Sequence, residues 1–279
     1  MEYRIYSGAG NDFVMINNLG GIVPLNEEAD LTVKICEHDF KNIDGVIFID
    51  KPLGKEAAIR MSYYNRDGSF GAMCGNGARC TAIYAADNKI ITEKQFYIEA
   101  VDKIYAAEIM SGKIVKVGFP DVSEYKLNVH IELGNVPAIG RLHWMNVGSE
   151  HIIVFIDDII SPKISAAGEV KVNEWGSLLR FHEAFLPKGA NVNFANKTGE
   201  NTLRLRTYER GVERETLACG TGIISSAITA GLLGIVKSPV SVIVQSGETL
   251  KVEFTINGAI VENVSLEGSA RKIGEGEII

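Results

Sequence analysis

Two cysteines sit in surroundings that could do chemistry. Cys74 opens a CGNG at 74–77 and Cys219 opens a CGTG at 219–222, and each motif hands over to a run of small and apolar residues. Glycines at such a junction leave backbone N–H groups uncovered at a helix N-terminus, where unpaired donors and partial positive charge concentrate. A carboxylate binds in such a place, and the same field favours a thiolate over a thiol that otherwise titrates near about 8.5. If both motifs address one ligand, two thiols approach one carbon from opposite sides. A base on one face and an acid on the other is what inversion by deprotonation and reprotonation requires, because a single mobile base tends to return the proton to the face it left. The chemistry indicated is that of a cofactor-independent racemase or epimerase. Its obstacle is a weakly acidic Cα–H, so water exclusion and pre-placed donors around the carboxylate must supply much of the stabilisation.

Other readings stand beside this one. Cysteine is among the most buried residue types, and inert burial is expected for Cys36 and for Cys80, which lies in the helix after CGNG. For Cys74 and Cys219 the alternatives to catalysis are packing, a disulfide or a metal pair. Neither has a second Cys or His at the usual short ligand spacing, so no metal site is expected. The chain has no GxxxxGK[ST] run, and CGxG lacks the spacing of a dinucleotide signature.

The elements that must position these residues follow from the pattern around them. Strands are expected over EYRIYS (2–7), NDFVMINN (11–18), GVIFID (45–50) and AAIRMSYYN (57–65), with a helix over 27–38. QFYIEAV, KIYAAEIM and KIVKVGF then suit a run of hairpins. Pro120 and Asp121 mark a boundary, after which the plan repeats: strands RLHWMNV (141–147) and HIIVFID (151–157), a helix around 169–181 with Val172, Trp175 and Leu179 on one side, and strands NVNFAN and TLRLRTYE. RGVERET reads as a charged turn before LACGTG, and the tail from Ser241 is again strand-like.

Cys74 and Cys219 stand 145 residues apart, about half of the 279-residue chain, so two copies of one α+β unit account for the spacing. The domains expected are 1–119, completed by a returning strand at about 265–279, and 120–264. With 28 Lys and Arg against 35 Asp and Glu, the net charge is −7, which argues against broad binding to nucleic acid or an anionic membrane. At 46% hydrophobic and 23% charged residues, the chain is not disordered. Leu217–Val236 carries no charge over twenty residues, but its Gly, Ser and Thr content reads as a loop and a buried helix rather than a membrane span. Four scattered cysteines and no leader-like start suggest a cytoplasmic protein.

SGAGNDFVMI (7–16), NRDGSFGAMCGNGARC (65–80), PKGANVNF (187–194) and ERGVERETLACGTG (209–222) together resemble the diaminopimelate epimerase family over nearly the whole chain. The resemblance implies interconversion of LL- and meso-diaminopimelate, in lysine and peptidoglycan-precursor biosynthesis, without pyridoxal phosphate or metal. It also implies a homodimer of chains with two pseudo-symmetric α+β domains, each a mixed sheet wrapped around a central helix, with the active site in the cleft between them. Cys74 and Cys219 would be the two acid/base thiols, with His151 and Glu209 supporting them. Gly75, Asn76, Gly220 and Thr221 would contact the carboxylate at the reacting centre. Asn11, Asn65, Ser149, Asn191, Glu209 and Arg210 match further substrate-contact positions.

Taken singly, Asn11, Asn65 and Asn191 read as turn formers, His151 as a core or strand-edge histidine, and Arg210 beside Glu209 as a local surface pair. Three departures from the family pattern stand out. GSEH at 148–151 replaces the common Gly-Asn-Pro-His run, which puts Ser149 at an Asn position and Glu150 at the proline. Gly45 stands where many members have a contacting Gln, and the GVERE turn is one residue longer than usual. Competing functions are a racemase for another amino acid such as histidine or glutamate, a non-catalytic binder that kept the cleft, and a phenazine-biosynthesis-like protein of similar duplicated fold.

Overall fold

The computed structural model describes residues 1–38, 40, 43–131, 139–159 and 164–278. The chain falls into two compact units, Met1–Phe119 with Glu267–Ile279, and Pro120–Leu266. The first unit runs β1 (Glu2–Gly8), β2 (Asn11–Asn17), α1 (Glu28–His38), β3 (Gly45–Asp50), β4 (Ile59–Asn65), α2 (Gly75–Asp87), β5 (Gln95–Ala100), β6 (Lys103–Ile109) and β7 (Ile114–Gly118). The second runs β8 (Tyr125–Val129), β9 (Leu142–Asn146), β10 (Glu150–Phe155), α3 (Val172–Arg180), β11 (Asn191–Gly199), β12 (Thr202–Glu209), β13 (Arg214–Thr216), α4 (Gly220–Leu232), β14 (Val240–Ile243) and β15 (Thr249–Asn257). The chain returns to the first unit within β16 (Ile260–Ser269) and ends on β17 (Arg271–Glu277).

Strand pairing repeats in the two units. In the first, β1 and β2 are antiparallel, β2 and β3 parallel across α1, β3 and β4 antiparallel, β4 and β5 parallel across α2, and β5 and β6 antiparallel. In the second, β9, β10, β11, β12, β14 and β15 follow the same alternation, with α3 and α4 as the crossovers. The registers match as well, since Phe13 opposes Gly45 where His151 opposes Asn191. Asn11 and Ser149 are therefore equivalent, as are Gly45 and Asn191, Asn76 and Thr221, and the two cysteines.

Each unit has an enclosed helix. Every residue of α2 from Gly75 to Ala85 is buried, and in α4 Gly220 and Gly222–Ala230 are buried. A helix apolar or small-sided all round is a core helix, and the alanines and glycines let strands close about it. Around α2 the core is built from Tyr6, Phe13, Met15, Ile47, Met61, Ile98 and Val117. The other helix of the second unit, α3, buries Val172, Trp175 and Leu179 against Ile152, Val192 and Phe194. Each large side chain so buried contributes roughly 1.5–3 kcal/mol.

The structure differs from the sequence reading in several details; the strand expected over HIIVFID, for one, ends at Phe155 and passes into a 3-10 turn at Ile156–Asp158. The helix expected over 169–181 spans Val172–Arg180, after a single 3-10 turn at Ala167–Glu169. RGVERET is a turn only to 213, because Arg214–Thr216 pairs with β12. β8 was not anticipated; it pairs antiparallel with β9.

Candidate active-site residues

In the first unit Cys74 is the N-cap of α2, with extended backbone, and its Sγ accepts the N–H of Gly77 at 3.3 Å. Sulfur here takes the place that a Ser or Asp oxygen usually fills. Gly75 is the first helical residue. Asn76, buried, donates from Nδ2 to Asn11 Oδ1 at the start of β2, and its own Oδ1 accepts Arg79 Nη2 at 2.8 Å. Arg79 is wholly buried and also donates to the Gly75 carbonyl at 3.2 Å. One guanidinium therefore fixes the Asn76 amide, which in turn fixes Asn11, so three of the expected residues meet beside Cys74.

Asn65 ends β4 and is engaged locally. It accepts the Tyr63 hydroxyl at 2.9 Å and donates to Ser69 Oγ at 3.0 Å, holding the 65–69 turn. Tyr63 also explains Gly45. A Cβ at Gly45 would lie 2.8 Å from the Tyr63 ring and 2.2 Å from the Tyr64 carbonyl oxygen, so no longer side chain fits while Tyr63 is there.

In the second unit Cys219 caps α4, is 7% exposed, and makes no bond to the helix N–H groups through its side chain. Its sulfur lies 3.6 Å from Thr221 Oγ1, which is 3.1 Å from Ser149 Oγ, which is 3.0 Å from His151 Nε2. His151 is fully buried. Burial first, and the Arg210 charge second, push its pKa down to about 3 against the opposing pull of Glu150, so the ring is neutral at ordinary pH.

The position of the ring proton follows from Asn193. Its Nδ2 donates to the Ile152 carbonyl at 3.0 Å and its Oδ1 accepts Thr207 Oγ1 at 2.9 Å, which fixes the amide orientation. The second Nδ2 proton meets His151 Nδ1 at 3.1 Å, so Nδ1 is the acceptor and Nε2 carries the hydrogen. Asn191 Nδ2, 3.5 Å from Nε2, gives one of its two protons to the Glu150 carbonyl at 3.2 Å.

Arg210 is held by neighbouring segments. Its guanidinium bonds Glu150 Oε2 at 2.9 Å and the Gly189 carbonyl at 3.1 Å, while its backbone N–H is held by Asn191 Oδ1 at 2.9 Å. Glu150 also receives Lys188 Nζ at 3.1 Å. Burial opposes its charge, but bonds from Lys188, its own backbone and Arg210 outweigh that and hold its pKa below the ordinary carboxylate value. Glu209 accepts the Thr216 hydroxyl at 2.9 Å from β13.

The second unit thus joins Ser149, His151, Asn191, Arg210, Thr221 and Cys219 in one network, and Gly220 begins the helix beside it. Sequence reasoning missed Asn193, Thr207, Arg79, Tyr63 and the part played by Glu150. Asn193 had a signal, since residues two apart on a strand share a face and Asn191 was already singled out. Among the described residues no group of three or more His, Cys, Asp or Glu could hold a metal ion. No described helix is long and apolar enough to cross a membrane.

A family model described as diaminopimelate epimerase matches residues 3–115 and 143–273. A diaminopimelate epimerase of Hydrogenobaculum sp. is 39% identical, covering 97% of this chain and 96% of the relative. One from Aquifex aeolicus is 36% identical over 100% of this chain and 98% of its own. Among solved structures, a Bacillus anthracis phenazine biosynthesis protein of the PhzF family is similar with a TM-score of 0.73 at 15% identity, over 100% and 99% of the two chains. A probable proline racemase from Agrobacterium radiobacter is similar with a TM-score of 0.71 at 13% identity, over 100% and 92%. At these identities the structural likeness concerns the fold.

Proposed function

The chain belongs to the diaminopimelate epimerase family, and from that premise we propose that Cys74 and Cys219 are the two acid/base thiols that interconvert LL- and meso-diaminopimelate. The observation that carries this reading is the repeated junction: equivalent strand-to-helix turns each place a cysteine as the N-cap of an enclosed helix. One thiolate removes the α proton and the other thiol returns one to the opposite face, and the roles exchange with reaction direction. The substrate α-carboxylate is received by the helix starts at Gly75 and Asn76 and at Gly220 and Thr221, whose N–H groups stabilise the charge that develops on it. In this reading the two thiols move the proton and the helix N–H groups hold the developing charge, so no step is assigned to pyridoxal phosphate or to a metal.

Asn11, Asn65, Ser149, Asn191, Glu209 and Arg210 complete the substrate-contact set in this reading. His151, being neutral, orients and donates rather than supplying charge, and Glu209 ends β12 and holds Thr216 of β13, the strand that leads to Cys219. The protein acts in the cytoplasm as a homodimer.

Incubating the reduced protein with LL-diaminopimelate in deuterated water should place deuterium at one α carbon as the meso form appears. Cys74→Ala and Cys219→Ala should each abolish epimerisation with the fold retained. Epimerisation without solvent deuterium, or full activity in either variant, would overturn the two-thiol reading.

A further inference from the structure

Resting on the reading of Cys219 as one of the two thiols, we infer that Ser149 and Thr221 carry a one-way hydrogen-bond chain from His151 that holds the Cys219 sulfur as an acceptor, and hence as the resting thiolate. The chain is anchored at Asn193. Its amide cannot turn over without presenting an oxygen to the Ile152 carbonyl and a nitrogen to the Thr207 hydroxyl. Gly222 of α4 seats directly on it, since a Cβ there would come 2.5 Å from Asn193 Oδ1.

From that anchor the directions follow as far as Thr221. Asn193 donates to His151 Nδ1, so Nε2–H is the ring's only donor and points to Ser149 Oγ at 3.0 Å. Ser149 has one hydroxyl proton, and having accepted from the ring it gives that proton to Thr221 Oγ1 at 3.1 Å. Thr221 has then accepted, and in the proposed relay its own proton goes to Cys219 Sγ at 3.6 Å. A buried imidazole that stays neutral cannot reverse the sequence by taking up a second proton. The charged groups on the flanking strands, Glu150 and Arg210, bond each other and leave the relay to neutral groups. Successive donors polarise one another, and a hydrogen bond to an ion is stronger than one to a neutral group, so the chain favours sulfur in its anionic form.

The equivalent place in the first unit lacks this device. There Asn11 and Asn76 stand where Ser149 and Thr221 do, the amides are tied to Arg79, and Cys74 takes its donor from the Gly77 backbone instead. Cys219 makes no such cap bond. The substitution of Ser for the family's usual Asn at 149 thus gives this chain a hydroxyl relay to one of its two thiols, and makes Ser149, Thr221 and Asn193 positioning residues for it.

The test is the rate at which iodoacetamide alkylates Cys219, read from the mass of its peptide in Cys74→Ala protein, with the thiolate ultraviolet band as a second readout. Adding Thr221→Val should move the pH midpoint of alkylation up by about one unit, a tenfold loss of rate at pH below both midpoints, and Ser149→Ala should move it up by less. Thr221→Ser and Ser149→Thr, which keep the hydroxyls, should restore the rate. Thr221→Ala replaces the valine variant if that one does not fold. Unchanged alkylation in the hydroxyl-free variants, or equal loss in the hydroxyl-keeping ones, would overturn the inference. Alkylation needs no substrate, so a protein that shows this graded reactivity but no epimerisation would sink the proposed function and leave the relay standing.

Discussion

Arg210, a substrate contact in the proposed function, is held in place by the protein itself. Its backbone is fixed by Asn191 and its guanidinium by Glu150, and Glu150 is shared with Lys188. Glu150 is therefore the counter-ion of Arg210. Both partners are less than a third exposed, so the pair is worth more than a surface ion pair. Glu150→Gln leaves two cations facing a neutral amide, and should lower stability by about 1–3 kcal/mol at neutral pH. It should also raise KM for diaminopimelate more than it changes kcat, because Arg210 loses its fixed orientation. Since the folded-state pKa of Glu150 is depressed, its contribution is present above the unfolded carboxylate value and is lost as pH falls through the folded one. Urea midpoints of wild type and variant should thus differ at neutral pH and converge in acid; a gap that persisted in acid would assign the loss to packing.

At the level of elements, the two cysteine junctions were legible because each is local: four residues set the turn and a dozen small ones set the helix. The relay to Cys219 was not, since it forms only when β10, β11, β12 and the start of α4 bring Ser149, His151, Asn193, Thr207 and Thr221 together. β13 escaped for a related reason, because three residues rich in charge carry no periodicity, and Arg214–Thr216 becomes a strand only by lying along β12. Another feature visible only after folding is the first turn of α1. Glu28 is 1% exposed, and it shares the Asn18 amide with Asp50. Burial first and Asp50 second raise its pKa to about 7. A raised folded-state pKa gives stability that is complete below the unfolded value near 4.5 and is lost as pH rises through 7. Glu28→Gln should therefore stabilise the protein at pH above about 7, by up to about 3 kcal/mol, and give no gain in acid where Glu28 is already protonated. Thermal melts of both proteins across that range measure it, and equal pH slopes would refute the assignment. Gly222→Ala belongs to the same scale: the added methyl meets Asn193 Oδ1 at 2.5 Å, so a loss of about 1–3 kcal/mol is expected from overpacking.

Over the whole molecule, the chain uses one plan twice and then closes the first copy with its own end. The duplication was readable from the 145-residue interval, and the strand character of the tail from its pattern. The pairing partner was not readable, because strand order is a property of the sheet rather than of the segment. β17 lies antiparallel to β1, from Glu277 opposite Glu2 to Arg271 opposite Ser7, with a register shift between Ile5 and Tyr6. Gly274 lets the two strands pack closely, since its Cβ position is 3.3 Å from the end of the Ile5 side chain. Removing residues 271–279 would leave the β1 backbone groups that face β17 unpaired and uncover Ile5. An edge of that kind pairs with other chains. The truncated protein should melt lower than the full chain and associate in a concentration-dependent way, which sedimentation would detect. Alkylation of Cys219 should keep its full-chain rate, because every residue of its relay belongs to Pro120–Leu266. If the truncated chain instead melted and sedimented like the full one, β17 would be an accessory strand, and the first copy of the plan would be complete without it.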